Sequence, residues 1–484
     1  MEREWRLFIG GSWIESPEKR EVRSPYNGEV VGICHRAAGD HVESAIVASV
    51  KAFSAFRDFS SYRRSLILEN ILGGVKRRTE ELARTISLEA GKPIKASRIE
   101  VERSLHTFSL GVQESTRIGG DLIPLDVREY SENRVGILKR VPVGPITAIT
   151  PFNFPLNLVA HKVSPCLSAG NTMVLKPASQ TPVTALILAE ICSEAGIPEG
   201  GLNVVPCSPR IAEPLITDER MKMVTFTGSS AVGWKLKTKA GRKKITLELG
   251  GNAGVIVHTD ADLNFAAERC VSGGFSYAGQ SCISVQRIFV QQKIYDDFMH
   301  IFLEKVKALR VGDPLDEHTD VGPMITLQDA RRAESWIKEA VEMGAVLLMG
   351  GERDGSLLNP AVLTGTRPEM KVNHLEIFAP VVTVEKYSEF SHAVKMVDNS
   401  EYGLQAGIFT RDIELVEYAF RNLEVGGLMV GDVPTFRVDH MPYGGAKLSG
   451  FGREGIKYAI EHMTEPRLLV LNFQPGRGNP LSKS

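Results

Sequence analysis

"GPITAIT", residues 144–150, is a short and almost wholly apolar run that a proline ends at position 151. Runs of the same kind recur further along the chain, as TMVLKP (172–177), LNVVP (202–206) and MVTFTG (223–228). Short, nearly continuous apolar runs are typical of strands that are buried on both faces of a parallel sheet. The four runs therefore predict four strands of such a sheet.

Helical patterns lie beside these runs. The stretch VTALILAEICSEAG (183–196) carries apolar residues at three- and four-residue spacing, and Gly196 stands where a helix C-cap glycine belongs. Strands that alternate with helices are the pattern of a doubly wound α/β sheet. We therefore predict a Rossmann-like lobe over 144–250, and further helices at 40–56 and 61–91.

A second alternation runs from residue 252 to about residue 430. Its apolar runs are AGVIV, RIFV, AVLLMG, VVTVEKY, QAGIFT and GGLMVG, with the helical IYDDFMHIFLEKVKAL among them. A chain of 484 residues should form more than one core, because single hydrophobic cores rarely grow beyond about 250–300 residues. The sequence thus predicts an α/β protein with two doubly wound lobes.

Two segments fit neither lobe. Residues 117–143 read as extended strands, and EPRLLVLNF (465–473) reads as a short apolar strand followed by a polar tail. A strand edge invites pairing with another chain unless something covers it. We expect a small β flap that joins subunits into a homo-oligomer, either a dimer or a tetramer.

Composition argues against several classes of function. The net charge is −1 and 24% of the residues are charged, so no basic excess indicates nucleic acid or a membrane as a partner. The N-terminal MEREWRLFIGGSWIE lacks the long apolar core of a signal peptide, and prolines interrupt the apolar region 141–175. The six cysteines form no C-x-x-C pair, which argues against a zinc ribbon. We expect a cytoplasmic protein without a metal site.

Ligands of open α/β sheets bind at the carboxyl ends of the strands, and three polar residues stand near such ends. Asn153, in the proline-bounded PFNFP, is either an Asx-turn residue or an oxyanion donor. Lys176 ends the next predicted strand, where a charge is costly unless it meets an anion or hydroxyl groups. Glu248, in TLELGGNAG, is either a salt-bridge residue or a general base with a raised pKa.

The remaining chemical signals are weaker when taken alone. Cys282 follows the small residues YAGQS, but lone cysteines are usually buried thiols and no histidine adjoins this one. Gly228 and Gly233 bracket the start of a predicted helix, where backbone N–H groups can bind an anion. The turn from Gly228 to Gly233 does not match the G-x-G-x-x-G fingerprint. On these residues alone, Cys282 is either a nucleophile or a buried core cysteine.

Eight stretches resemble, in order along the chain, the NAD(P)-dependent aldehyde dehydrogenase superfamily. They are PFNFP, VLKPAS, FTGSSAVG, LELGGN, GQSC, EIFAPV, YGLQAGIFT (402–410) and MPYGGAKLSGFGREG (441–455). The resemblance covers essentially the whole chain. It implies that Cys282 attacks an aldehyde carbon and that Asn153 and the backbone N–H of Cys282 hold the oxyanion. Glu248 would then activate water; relatives that transfer the acyl group to coenzyme A lack this glutamate, so its presence favours hydrolysis.

The same resemblance implies NAD or NADP as the cofactor. It places Lys176 and Glu376 on ribose hydroxyls and Phe378 against the nicotinamide ribose. The turn from Gly228 to Gly233, with Ser229, would face the pyrophosphate. NAD-selective relatives often carry a glutamate where this chain has Ser179, so a 2′-phosphate should be tolerated here. Arg210 is either a partner for that phosphate or a solvated surface residue.

The candidate substrate residues are Asn157, His161, Arg103, Arg437 and His440. Asn157 and His161 are four residues apart on one predicted helix and so share a face. The surrounding stretches look most like lactaldehyde and glycolaldehyde dehydrogenases and are similar to non-phosphorylating glyceraldehyde-3-phosphate dehydrogenases. Phosphate-handling relatives often carry arginine where this chain has Ser281. We expect a small 2-hydroxylated aldehyde; the alternative is an anionic aldehyde, such as glyceraldehyde-3-phosphate, succinic semialdehyde or a sulfo-aldehyde, bound by the two arginines.

The resemblance also implies a division into domains. Residues 1–116 and 144–247 would bind the cofactor, 248–440 would form the catalytic domain, and 117–143 with 456–484 would form the oligomerisation segment. Two other classes of protein stay open: a non-catalytic protein that retains the fold, and a cysteine hydrolase that needs only Cys282 and an oxyanion hole.

Overall fold

The structure, a computed structural model, describes residues 3–473. Its strands are, in chain order, β1 (Glu4–Trp5), β2 (Leu7–Ile9), β3 (Ser12–Ile14), β4 (Lys19–Arg23), β5 (Val30–His35), β6 (Leu122–Pro124), β7 (Arg134–Pro142), β8 (Ile146–Ile149), β9 (Met173–Lys176), β10 (Leu202–Val204), β11 (Met223–Thr227), β12 (Lys244–Glu248), β13 (Ala253–Val257), β14 (Val285–Gln291), β15 (Val346–Met349), β16 (Arg353–Asp354), β17 (Leu357–Leu358), β18 (Ala361–Thr364), β19 (Val381–Tyr387), β20 (Tyr402–Gly403), β21 (Gln405–Phe409), β22 (Gly427–Val430), β23 (Ala446–Lys447), β24 (Gly450–Phe451) and β25 (Thr464–Asn472).

Its α-helices are α1 (Gly39–Phe56), α2 (Ser61–Arg77), α3 (Thr79–Ala90), α4 (Ile94–Ser115), α5 (Asn157–Ala169), α6 (Val183–Glu194), α7 (Glu213–Thr217), α8 (Ser230–Lys239), α9 (Leu263–Phe275), α10 (Tyr295–Lys307), α11 (Leu327–Glu342), α12 (Lys371–His374), α13 (Phe390–Asp398), α14 (Ile413–Asn422) and α15 (Ile456–His462). Short 3-10 helices lie at Glu129–Ser131 and Ser276–Gly279.

The first lobe is built on an eight-stranded sheet in the order β24-β12-β11-β8-β9-β10-β2-β3. Its five central strands, from β12 to β10, are parallel. β2 and β3, at one edge, come first in the chain; it then enters the middle of the sheet at β8, moves outward through β9 and β10, and returns to β11 and β12 on the other side. Every side chain of β9, β10 and β11 is buried, which explains their continuous apolar sequences. The predicted doubly wound lobe is confirmed.

The second lobe carries a seven-stranded sheet in the order β15-β18-β19-β14-β13-β21-β22. All neighbours are parallel except β15, which pairs antiparallel with β18 at one edge. One strand departs from the pattern of buried strands: β15 is apolar but mostly exposed. The second predicted α/β lobe is otherwise confirmed.

The two extended segments that fit neither lobe pair with each other. β25 runs antiparallel to β7 over its full length, from Thr464 opposite Pro142 to Asn472 opposite Arg134, and β6 adds a third strand. β25 is an outer strand of this small sheet and leaves Leu468, Leu469 and Val470 about half exposed. The sheet is the β flap that the sequence predicted.

Two segment boundaries differ from the prediction. The helix predicted over 61–91 is two helices, because Arg78 between them takes a φ of −105° and a ψ of 21°. The predicted oligomerisation segment 456–484 opens with residues of the first lobe's core, since Ile456, Ile460 and Met463 are buried there, and its role stays a prediction. Residues 474–484 of that segment lie outside the described residues. β24, which the domain prediction left unassigned, completes the first sheet beside β12.

The lobes present opposite strand ends to one cleft. The first lobe contributes the carboxyl ends of β8, β11 and β12, as the sequence reading expected. The second lobe contributes residues just before its strands, with Cys282 ahead of β14 and Glu376 ahead of β19. Two glycines permit this close approach: a Cβ on Gly250 would lie 2.2 Å from Oε2 of Glu376, and one on Gly251 would lie 2.2 Å from the carbonyl oxygen of Cys282.

Candidate active site

The loop that carries Asn153 is fixed from beneath by a buried carboxylate. It connects β8 to α5, whose first backbone N–H groups need partners that the helix itself cannot supply. Oε1 of Glu100, on α4, accepts the N–H groups of Leu156 at 2.9 Å and Asn157 at 3.1 Å. The loop is therefore anchored at the point where it enters the helix.

A buried lysine links that anchor to the loop of Cys282. The ammonium group of Lys92, at 1% exposure, pairs with the second oxygen of Glu100. It also lies 3.7 Å from the ring centroid of Phe154 and 4.5 Å from that of Tyr277. Phe154 belongs to the Asn153 loop and Tyr277 to the segment ahead of Cys282. One cation thus contacts both loops, and we call Lys92, Glu100, Phe154 and Tyr277 the loop clamp.

Asn153 itself reaches across the cleft. Its Nδ2 donates to the carbonyl oxygen of Gln280 at 3.0 Å, two residues before Cys282, and the side chain is buried. An amide nitrogen has two hydrogens, so this bond leaves one donor free. Among the described residues the backbone N–H of Cys282 makes no hydrogen bond either. Two N–H donors are consequently available near the sulfur.

Cys282 differs from the other five cysteines, all of which are fully buried, by lining the cleft. Its Sγ lies 3.0 Å from the hydroxyl oxygen of Tyr443. Burial raises the pKa of the thiol to about 11, while the Tyr443 hydrogen bond and the positive charge of Arg437 act in the opposite direction. The sulfur is accessible from the cleft and has one polar side-chain partner.

Glu248 ends β12 with its carboxylate in the cleft. The side chain is 2% exposed, and neither oxygen has a hydrogen-bond partner in the described part of the chain. Burial raises the pKa of Glu248 well above its usual value and the negative charge of Glu454 adds to this, while Arg437 and Lys162 oppose it. A carboxyl group with a raised pKa and free lone pairs is suited to accept a proton from water.

Glu454 behaves in the opposite way. Lys162 donates to Oε1 of Glu454 at 2.8 Å, and Nη2 of Arg437 approaches Oε2 at 3.5 Å. Burial disfavours the charge of Glu454, but its basic neighbours prevail and hold its pKa below the usual value. The pKa values of these two neighbouring buried carboxyl groups are therefore shifted in opposite directions, a pattern that separates proton-accepting from structural roles.

The candidate substrate residues gather around a carboxylate that the sequence reading did not single out. Asp439 accepts hydrogen bonds from Arg103 at 2.7 Å and from Asn157 at 3.3 Å, and it meets Nε2 of His161 at 2.8 Å. Burial opposes the charge of Asp439, yet His161 and Arg103 hold its pKa far below the usual range. The predicted shared face of Asn157 and His161 exists, and it faces Asp439.

One cavity of about 300 Å³ contains most of the predicted site residues. Those that line it are Asn153, Glu248, Cys282, Gly228, Ser229, Glu376, Phe378, Asn157, Arg103 and Arg437. Five others do not: Lys176, Ser179, Gly233, His161 and His440. The roles suggested for all of these residues stay predictions.

Besides His161, which contacts Asp439, four predicted residues lie outside the cavity. Nζ of Lys176 donates to the carbonyl of Pro177 at 3.0 Å, and burial lowers the pKa of this lysine. Ser179 lies three residues further along the same connection. Gly233 has a packing role, because a Cβ there would lie 2.4 Å from Leu249. His440 stacks edge-on to His106 at 6.3 Å and is not part of the cavity wall.

Besides Asp439, sequence reasoning missed three residues that contact the predicted site residues or their neighbours. Tyr443, Glu454 and Lys162 all lie in stretches quoted for the resemblance or beside them, but no local signal distinguishes them there. Arg332 also lines the cavity, from a helix far along the chain. Only the fold brings these positions together.

Comparison with known proteins decides the family. The profile of the aldehyde dehydrogenase family matches residues 13–469. The chain belongs to the aldehyde dehydrogenase family. The chain is 46% identical to 3-sulfolactaldehyde dehydrogenase of Priestia megaterium over 97% of this chain and 98% of that one. It is 40% identical to lactaldehyde dehydrogenase of Methanococcus aeolicus over 96% of this chain and 100% of that one.

A solved structure agrees with this family assignment. The crystal structure of aldehyde dehydrogenase 21 from Physcomitrella patens, in complex with the reaction product succinate, superposes on this aldehyde dehydrogenase with a TM-score of 0.96. The two are 43% identical, and the match covers 98% of this chain and 99% of the moss protein. The predicted resemblance and fold class are confirmed.

The described residues contain neither a metal-binding cluster nor a membrane-spanning helix. Between residues 3 and 473, no three His, Cys, Asp or Glu side chains are grouped so as to hold a metal ion. Over the same residues, no helix has the length and apolar character to cross a membrane.

Proposed function

We propose that this aldehyde dehydrogenase oxidises a short polar aldehyde to the free acid, with NAD or NADP as hydride acceptor and Cys282 as nucleophile. The observation that carries the proposal is the meeting of three groups in one cavity. Cys282 supplies a sulfur, Asn153 supplies an amide donor, and Glu248 supplies a carboxyl group whose oxygens are unpartnered.

The first step that these residues support is addition to the carbonyl. The Cys282 thiolate forms a bond to the aldehyde carbon while the carbonyl π electrons move to oxygen. The free hydrogen of the Asn153 amide and the N–H of Cys282 are the donors for that oxyanion. Donors held in place before the reaction stabilise developing charge more effectively than water, which must reorient.

Several groups around the cleft support the binding of a dinucleotide. The hydroxyl oxygens of Thr227 and Ser230, at the end of β11 and the start of α8, are buried without partners in the described chain. Ser229 precedes α8, whose first N–H groups suit a diphosphate, and the carboxylate of Glu376 suits ribose hydroxyls. When bound, the nicotinamide accepts the hydride from the substrate carbon. Ser179 carries no charge that would repel a 2′-phosphate, which supports use of both NAD and NADP.

Glu248 supports hydrolysis as the final step. Its raised pKa and free oxygens allow it to take a proton from water while that water attacks the acyl group on Cys282. The C–S bond then breaks, the acid leaves, and the sulfur regains its negative charge. This role distinguishes a hydrolytic enzyme from one that transfers the acyl group to coenzyme A.

The charges in the cavity favour a substrate with an anionic end. Arg103 and Arg437 both line it; Arg103 shares Asp439 with two other residues, and Nε of Arg437 is buried without a partner in the described chain. Asp439 accepts from Arg103 at 2.7 Å and Oε2 of Glu454 lies 3.5 Å from Nη2 of Arg437, so an anionic tail would bind to the guanidinium donors that these carboxylates leave free. The similarity to a 3-sulfolactaldehyde dehydrogenase and to an enzyme crystallised with succinate supports a sulfonate or carboxylate tail.

A neutral 2-hydroxy aldehyde is the second candidate. Ser281, where phosphate-handling relatives often have arginine, and the similarity to lactaldehyde dehydrogenase favour it. Asn157, which lines the cavity, offers an amide to a hydroxyl group. The two candidates share the same chemistry and differ only in what the arginines recognise.

The test is a panel of four aldehydes assayed with NAD and with NADP by absorbance of the reduced cofactor. The panel contains lactaldehyde, glycolaldehyde, succinic semialdehyde and 3-sulfolactaldehyde, with the acid product identified by mass spectrometry with and without coenzyme A. Arg103→Ala should lower kcat/KM on the anionic members selectively, whereas Arg437→Ala, which also removes a cation near Cys282, should lower it on all four. Arg332→Ala is the matched control: it removes an arginine from the same cavity, but one near Glu376, so its effect should not differ between neutral and anionic aldehydes.

Three results would overturn parts of the proposal. Equal losses of kcat/KM on neutral and anionic aldehydes in Arg103→Ala would refute recognition of an anionic tail. An acyl-coenzyme A product would remove hydrolysis. Cofactor binding without reduction by any aldehyde would favour a non-catalytic protein, whereas ester cleavage without hydride transfer would favour a cysteine hydrolase.

We also propose that this enzyme is a homo-oligomer. The support is the outer strand β25 of the flap, with Leu468, Leu469 and Val470 half exposed. Light scattering after size-exclusion chromatography gives the mass in solution. A monomer at micromolar concentration would refute this assembly.

A further inference from the structure

A tyrosine hydroxyl lies within hydrogen-bond distance of the proposed nucleophile. Sγ of Cys282 and the hydroxyl oxygen of Tyr443 lie 3.0 Å apart, a hydrogen-bond distance for sulfur. Tyr443 is 3% exposed and packs with Ile283 and Leu404 around Cys282. Its backbone is fixed by paired hydrogen bonds with Glu454, at 3.0 Å and 2.6 Å. The hydroxyl is therefore held in place rather than free to turn away.

A buried cation lies against the tyrosine ring. The guanidinium carbon of Arg437 is 3.6 Å from the ring centroid of Tyr443, and 7% of the arginine side chain is exposed. Burial raises the pKa of the Tyr443 hydroxyl well above its usual value. The phenol consequently stays protonated at neutral pH and has a proton to donate.

The other charged groups around the sulfur work against ionisation. Glu248 and Glu376 both face Cys282, and negative charge on either one disfavours a thiolate. No histidine contacts Sγ in the described residues, so a thiolate–imidazolium pair is excluded there. Tyr443 and Arg437 are the groups that favour the thiolate.

We propose that Tyr443 is a catalytic residue that donates its O–H to the Cys282 thiolate, with Arg437 stacked on its ring as the supporting cation. Ionisation passes the thiol proton to solvent, and the negative sulfur then accepts the Tyr443 hydrogen bond. This pair takes the place of the histidine that activates many cysteine nucleophiles. The inference rests on the proposed function in one respect only, namely that Cys282 is the nucleophile.

The test measures Cys282 ionisation without aldehyde or cofactor. Iodoacetamide is neutral, and its reaction forms an S–C bond and releases iodide, so its rate follows the thiolate fraction. The rate at Cys282 is read by mass spectrometry of the peptide, from pH 6 to the highest pH at which the protein stays folded. Tyr443→Phe removes one oxygen and keeps the ring under Arg437. Loss of a hydrogen bond to a charged group should raise the apparent pKa of Cys282. At pH values below that pKa, the alkylation rate should fall by about 10-fold or more.

Controls separate this role from simple packing. Tyr295→Phe makes the same chemical change in the same lobe, at a hydroxyl that contacts Thr364, and should leave the profile unchanged. Arg437→Met should raise the apparent pKa of Cys282 in the same direction as Tyr443→Phe. If Tyr443→Phe does not fold, replacement of Tyr443 by 3-fluorotyrosine, a stronger donor, should lower the apparent pKa instead.

The outcomes are distinct from those of the aldehyde panel. An upward shift of the apparent pKa in Tyr443→Phe supports the inference even if no panel aldehyde is oxidised. An unchanged apparent pKa with a changed plateau rate would mean that Tyr443 only packs against the sulfur, and the inference would fail while aldehyde oxidation stands.

Discussion

The loop clamp gives the most specific prediction about stability. Lys92→Met removes one buried charge and keeps the length of the side chain. Glu100 then retains the N–H groups of Leu156 and Asn157 but loses its cation, in a site where Lys92 is 1% exposed. Removing one partner of a buried ion pair leaves an uncompensated charge and costs about 3–5 kcal/mol. We expect a loss of this size in the free energy of unfolding.

The effect should reach the active site. The same ammonium group contacts Phe154 and Tyr277, on the loops of Asn153 and Cys282. A displacement of reacting groups by about 1 Å can cost 100-fold in rate. The double variant Lys92→Met with Glu100→Gln leaves no buried charge at the pair. Its loss in the free energy of unfolding should therefore be smaller than the sum of the two single losses. A coupling of about 1–3 kcal/mol is expected between residues in direct contact.

The assay is urea unfolding followed by tryptophan fluorescence, with thermal unfolding as a second probe. Lys95→Met is the matched control, because Lys95 pairs with Asp320 at the surface with 43% of its side chain exposed. Exposed pairs contribute about 1 kcal/mol or less. Equal losses in the two methionine variants, or additive losses in the double variant, would refute the reasoning.

Three further predictions concern the reaction itself. Glu248→Gln should lower the steady-state rate by about 100-fold or more and keep a burst of one reduced cofactor per site in stopped-flow absorbance, and loss of the burst would contradict a role confined to hydrolysis. Asn153→Ala should slow that burst by about 100- to 1000-fold, and an unchanged burst would exclude it as the oxyanion donor. Burial raises the pKa of Glu376 to about 7, so the group ionises as the pH rises through 7 and the cofactor KM should fall over the same range. Glu376→Gln should flatten that pH dependence, measured between pH 6 and pH 8.

The regular parts of the fold were predictable because they are buried on both faces. The runs that became β8, β9 and β11 have apolar sequences that leave few alternatives, and their order along the chain predicts the doubly wound lobe. The end of a buried run also located Asn153 and Glu248, since a polar residue there needs a reason. Where burial is partial the pattern was ambiguous, as at the exposed β15 and at the break at Arg78.

The contacts across the cleft were not predictable from local patterns. Tyr443 lies 161 positions from Cys282, and Asp439 lies 336 positions from Arg103. No periodicity spans such separations. Arg103 and His161 were expected to face a substrate, yet both are engaged by Asp439, because a buried carboxylate attracts the nearest cations and donors. The resemblance predicts which residues act in the site, and only the structure shows what each of them contacts.

The placement of β24 beside β12 has a consequence for folding during synthesis. The strands of the second lobe, from β13 to β22, all leave the ribosome before β24 does. Until then the flank of β12, which carries Glu248, has no neighbour on that side, and β7 likewise awaits β25. Unpaired flanks of this kind are what chaperones and other nascent chains recognise. The surroundings of the predicted site are therefore completed late in synthesis, and a chain interrupted before residue 450 lacks the strand that pairs with β12.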